Sequence, residues 1–69
     1  MKLTEKHSEL IRSMIYDTTN NTLTIEYRAD GERFRYFKVS EATYRALVRS
    51  RHPGEDWLKI RMQYRYAEV

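Results

Sequence analysis

Phe34-Arg35-Tyr36-Phe37-Lys38-Val39 decides the fold of this 69-residue chain. In an extended strand successive side chains point to opposite faces, so Phe34 and Tyr36 point one way while Arg33, Arg35 and Phe37 point the other. The first set reads as core and the second as a surface that could dock a partner. Working outward, Thr22-Leu23-Thr24-Ile25-Glu26-Tyr27-Arg28 alternates the same way, with Leu23, Ile25 and Tyr27 on one face. Asp30-Gly31 between the two runs is a two-residue hairpin signal, because Gly accepts the positive φ such turns demand. A turn centred there pairs Tyr27 with Phe34 and Ile25 with Tyr36, and on the other face Glu26 with Arg35 and Thr24 with Phe37.

Upstream, Leu10–Tyr16 reads as a first strand, followed by the turn formers Asp17-Thr18-Thr19-Asn20-Asn21. Downstream, Ser40 before Glu41 is a good helix N-cap, and the helix runs to about Arg49–Arg51. Tyr44, Leu47 and Val48 make its apolar stripe, while Arg45 and Arg49 share another face. His52-Pro53-Gly54 ends that helix. Trp57, Ile60, Arg61 and Tyr64 then recur at helical spacing, which predicts a short second helix. Tyr64-Arg65-Tyr66 is either its end or an extended tail. The fold class is therefore α+β: a three-stranded antiparallel meander (Leu10–Tyr16, Thr22–Arg28, Arg33–Val39) with one main helix and a short C-terminal helix on one face. Residues 1–7 are expected to be a flexible polar segment, 8–66 the domain and 67–69 a tail.

Composition bounds the rest. A chain of 69 residues, 41% hydrophobic and 33% charged, makes one small domain. The absence of Cys excludes disulfides and thiolate ligands and points to a reducing, cytoplasmic setting. No apolar run reaches signal-peptide or membrane-span length, so no membrane role is expected. The net charge of +3 is unevenly placed: seven basic and seven acidic residues balance as far as Thr43, and six basic residues face three acidic ones from Tyr44 onward. Most of that excess is Arg, which suits anionic partners, although a solvated basic face that keeps a small domain soluble has the same composition.

The order and spacing of several short motifs resemble the KTSC domain over Ser8 to about Tyr66. They are Ile11-x-Ser13-Met14-x-Tyr16-Asp17, Leu23-x-Ile25-x-Tyr27, Phe34-Arg35-Tyr36-x-x-Val39, Tyr44-x-x-Leu47, Pro53-Gly54 and Ile60-Arg61-x-x-Tyr64. This module is named for its occurrence at the C-terminus of some lysyl-tRNA synthetases and is also found as a free-standing bacterial protein. Ile15 stands where the family often has Gly, and the Trp57-Leu58-Lys59-Ile60 stretch is one residue shorter than the family's segment. The resemblance implies a compact cytoplasmic α+β module, with RNA binding suggested by the synthetase context.

Catalysis finds no footing in the residues. His7 and His52 are the only histidines, each acid has a place in a turn, a helix start or a cross-strand pair, and no serine sits in a nucleophile context. The two histidines lack the partners a metal site needs, and Gly31 and Gly54 are too isolated to cradle phosphate, so neither metal nor cofactor is expected.

RNA binding has two candidate surfaces. On the sheet, Arg28, Arg33, Arg35 and Phe37 could stack an unpaired base and hold adjacent phosphates, with Ser13 and Ile15 beside them. The alternative there is structural: Phe37 packing under a loop and Arg35 satisfying Glu26. On the helices, Arg45, Arg49 and Arg61, with Arg51, Lys59 and Arg65, could form a phosphate stripe, although Arg61 beside Tyr64 could instead close the fold. The tyrosines and Trp57 fall mostly at core spacing. The competing class is a protein-interaction or homodimerising module that uses a sheet edge or the outer face, where Ile11, Ile15 and Phe37 are expected.

Overall fold

Apolar residues at every second position commit the first half of the chain to strands that bury one face, and the computed structural model shows how that face is covered. It describes the backbone of Lys2–Glu5 and the whole of residues 10–69. The elements are β1 (Lys2–Glu5), β2 (Ile11–Asp17), β3 (Thr22–Tyr27), β4 (Arg33–Tyr36), α1 (Glu41–Arg49), α2 (Pro53–Ile60) and β5 (Tyr66–Glu68), with a single 3₁₀ turn, Arg61–Gln63, between α2 and β5. The strands form one antiparallel sheet in the order β1-β2-β3-β4-β5.

The α+β class is therefore as expected, but the sheet has five strands where three were expected. β1 lies within the segment expected to be flexible, and β5 starts at Tyr66, the last residue of the expected domain, and runs into the expected tail. Each is short, and neither has the clean apolar alternation that marks β3. β4 is also shorter than expected and stops at Tyr36, because Lys38 adopts a left-handed conformation at φ +58°. That kink turns Val39 into the core and delivers Ser40 to the start of α1.

The β3–β4 register is displaced by two residues from the expected one: Ile25 faces Phe34, Leu23 faces Tyr36, Thr24 faces Arg35 and Glu26 faces Arg33. The turn explains it. The Tyr27 N–H donates to the Glu32 carbonyl at 2.9 Å and the Gly31 N–H to the Tyr27 carbonyl at 3.0 Å, so Arg28–Gly31 form a four-residue loop and not a two-residue one. Gly31 closes that loop at φ +72°, and Asn21 closes the β2–β3 loop in the same way at φ +56°. A two-residue shift preserves the faces and changes only the partners. A bulge at Arg12 has the opposite effect. With Ile11 facing Tyr27 and Ser13 facing Glu26, the alternation slips by one, and Ile11 turns into the core instead of the outer face where it was expected.

Ile11, Met14, Tyr16, Leu23, Ile25 and Tyr36 from the strands meet Val39, Tyr44, Leu47 and Trp57 in one buried cluster. Ser40 and Tyr16 anchor α1. The Ser40 hydroxyl accepts from the Thr43 N–H at 3.2 Å, as an N-cap should. The Tyr16 ring stacks on Tyr44 at 5.0 Å while its hydroxyl donates to the Val39 carbonyl at 2.7 Å. α2 opens with Pro53 in its first turn, and its Asp56 carboxylate accepts from the Ser50 hydroxyl at the end of α1.

An added Cβ at Gly31 would meet no atom within 4 Å, so Gly31→Ala tests backbone conformation alone. We expect urea denaturation to show a loss of about 1–2 kcal/mol from the left-handed geometry, and Ser40→Ala to lose about 1 kcal/mol from the lost cap.

Candidate nucleic-acid interface

Both helices pack on the face that carries Leu23 and Ile25, and among the described residues no helix covers the opposite face of the sheet. Alternation brings Ile15 of β2, Thr22 and Thr24 of β3, and Arg33 and Arg35 of β4 onto this outer face. Together with Phe37, just past the end of β4, they line an open groove of about 670 Å³. Arg33 and Arg35 are two residues apart on one strand, so their stems stand about 6.7 Å apart along it. Phe37 is 37% exposed and is not packed away beneath the loop to α1.

The charges in the groove are distributed differently from the expectation. Arg35 faces Thr24 across the strands and Glu26 faces Arg33. The Glu26 carboxylate accepts a 3.3 Å hydrogen bond from Ser13. Among the described residues, neither the Arg33 nor the Arg35 guanidinium has a hydrogen-bond or ion-pair partner. Asp17 also lines the groove, but its carboxylate serves the β2–β3 turn, accepting from the backbone N–H groups of Thr19 and Asn20 and from the Asn20 side chain. Those bonds, the one from Thr19 foremost, hold its carboxyl below the usual range. At the other hairpin, Asp30 and, to a lesser degree, Glu68 raise the Glu32 carboxyl, which marks that end of the sheet as acidic.

The remaining expected residues are scattered. Arg28 lies in the β3–β4 turn, where its N–H donates to the Leu10 carbonyl, and it does not line the groove. Arg45 is paired with Glu41 one helical turn away at 2.6 Å, so its charge is locally neutralised. Arg49 is exposed on α1 and has no side-chain partner among the described residues. Arg61 lies over the Tyr27 ring, 5.8 Å from its centroid, and donates to the Tyr27 hydroxyl at 3.4 Å. The helical cations therefore do not form one stripe, and Arg61 is bound into the fold.

The Tyr27 hydroxyl is a junction. It accepts from the Trp57 indole N–H at 3.0 Å and lies 2.8 Å from the Tyr36 hydroxyl. Around it Trp57 stacks on Tyr64 and meets Tyr36 edge-on, and Tyr66 packs against Phe34 and Tyr36. Spacing alone places Tyr27, Tyr36, Trp57 and Tyr64 in the core; the polar junction at their centre depends on contacts between residues about thirty apart in sequence.

The described residues form two layers, a five-stranded sheet and two helices over an aromatic core, with the basic outer face of the sheet open. This is a small α+β module with one sheet face left bare. The model of the KTSC domain matches residues 7–55, and the chain belongs to that family. The matched stretch includes Arg33, Arg35, Phe37 and Arg49 and stops before Trp57 and Arg61. The fold is similar to the crystal structure of a KTSC domain protein from Yersinia pestis, with a TM-score of 0.88 at 21% identity over 100% of this chain and 99% of that one. No curated protein matches the chain.

Tyr27→Phe removes the acceptor of the buried Trp57 N–H. We expect it to cost about 1–3 kcal/mol in urea denaturation, with a displaced indole N–H resonance.

Proposed function

We propose that this KTSC domain is a non-catalytic module that binds RNA through the outer face of its sheet. The observation that supports this reading most is the pair of unpartnered guanidinium groups, Arg33 and Arg35, in one groove with the partly exposed ring of Phe37. Guanidinium groups at that spacing suit successive phosphates, and the ring offers a stacking surface for an unpaired base. Thr22 and Thr24 supply hydroxyls in the same groove. Arg49 is a second, weaker contact on the helical side, whereas Arg28, Arg45 and Arg61 leave the proposed interface because each is engaged or placed elsewhere.

A second reading draws on the sheet edges. β1 and β5 each have one sheet neighbour, so each leaves a strand edge open to another chain, and Tyr66 and Val69 at β5 are large and exposed. In that reading the domain pairs with a protein or with its own copy.

Binding to a fluorescent tRNA and to a single-stranded RNA of similar length, at low and physiological salt, separates the two. RNA binding predicts that Arg35→Ala and Phe37→Ala each weaken affinity about tenfold or more, within the range of lost stacking and phosphate contacts. Arg49→Ala should have a smaller effect, and melting temperatures should stay close to wild type. Binding that is absent at physiological salt, together with a dimer in light scattering, rejects the RNA reading in favour of the second.

A further inference from the structure

The two ends of the outer groove differ in chemistry. Asp17 faces Thr22 across the β2–β3 ladder, and Phe37 follows β4 one step past the Leu23–Tyr36 pair, beside Thr22. All three line the groove, at the end away from Arg33. Two strand spacings, about 10 Å, separate the Asp17 and Phe37 backbones. Thr22 between them is short, so a base stacked on Phe37 brings its edge over Thr22 toward Asp17.

The polar groups at this end are mostly acceptors. Asp17 Oδ1 accepts from the Thr19 and Asn20 backbone N–H groups, and Oδ2 from the Asn20 side-chain amide. A carboxylate has about four lone-pair sites, so these bonds leave about one, on Oδ2. The same bonds, that from Thr19 foremost, hold the carboxyl below the usual range, so at neutral pH it is ionised and has no proton to give. Because a carboxylate only accepts, Asn20 must turn its amide nitrogen to Asp17. Its carbonyl oxygen is then a second acceptor in the groove, without a partner among the described residues.

We propose that this end of the groove selects an RNA base whose pairing edge carries an amino group, with Phe37 as the stacking platform and the Asp17 carboxylate as the acceptor that reads the edge. The selection rests on the RNA reading and specifies its ligand. In a duplex the amino groups are already paired, so the ligand is single-stranded. Where cytosine carries its amino group uracil carries a carbonyl, whose lone pairs would meet those of the carboxylate and leave both without a donor. Arg33 and Arg35 lie farther along the groove and hold phosphates, which are the same for every base.

Oligocytidine and oligouridine of equal length carry the same phosphates and similar rings, so their affinity ratio isolates the base edge. Binding of each to the intact chain is measured by fluorescence anisotropy at neutral pH and one salt concentration. We expect oligocytidine to bind about fivefold more tightly or better, the scale of one net hydrogen bond. Arg35→Ala should weaken both and keep the ratio. Asp17→Asn retains a carbonyl for the turn but offers an amide N–H in place of the second oxygen, and should bring the ratio close to one. The Thr19 and Asn20 backbone N–H resonances, both bonded to Asp17, should move with oligocytidine and stay with oligouridine. Equal affinities, or a ratio that persists in Asp17→Asn, overturn the proposal. Should that variant fail to fold, Thr19 and Asn20 resonances that respond equally to both oligonucleotides, or to neither, overturn it. If neither oligonucleotide binds, the RNA reading fails and the selection with it, a result distinct from binding without preference.

Discussion

Two short helices can cover one face of a five-stranded sheet, and that limit governs the rest of the molecule. All the apolar surface that must leave water is gathered beneath α1 and α2, in a cluster built from ten residues. For so small a core, large rings are an efficient filling, which accounts for the weight of Tyr16, Tyr36, Tyr44 and Trp57 in it. The polar ends of three of them meet partners inside the fold: the Val39 carbonyl accepts from Tyr16, and Tyr36 and Trp57 meet the Tyr27 hydroxyl. The face that the helices do not reach lies in contact with water, and its Thr, Ser, Glu and Arg side chains suit that.

The charges follow from the same division. Arg is the chain's preferred cation, but its copies do different things. Arg45 is tied to Glu41 along a helix, Arg61 to a ring and a hydroxyl, and Arg33 and Arg35 to nothing among the described residues. A charge count cannot separate these roles, because each depends on what lies opposite.

The faces of β3 and β4 were legible in the sequence, since period-two alternation survives any even shift in pairing. The partners across the ladder were not, because they depend on loop length, and Asp30-Gly31 signals a turn without stating whether two or four residues make it. Ile11 was misplaced because the bulge at Arg12 leaves no mark in composition. The Ser40 cap and the stripe of α1 were legible because both are local. β1 and β5 were not, since short edge strands owe their structure to the neighbour they join. Of the candidate site, Arg33, Arg35 and Phe37 came together as alternation implies, while the Tyr27 junction rests on contacts too distant in sequence for periodicity to reveal.

Strand order follows chain order, so β1 through β4 join only near neighbours, while β5 must return across both helices to reach β4. Closing that long loop costs more entropy than closing any hairpin. With three residues and a single neighbour, β5 is also the strand least able to resist local opening. Yet Val69 lines the outer groove, and the Phe37 N–H is held by the Arg65 carbonyl on the approach to β5. Release of this one strand would therefore take Val69 out of the groove wall and free the backbone N–H of Phe37, which ties the outer face to the order of a distant part of the chain.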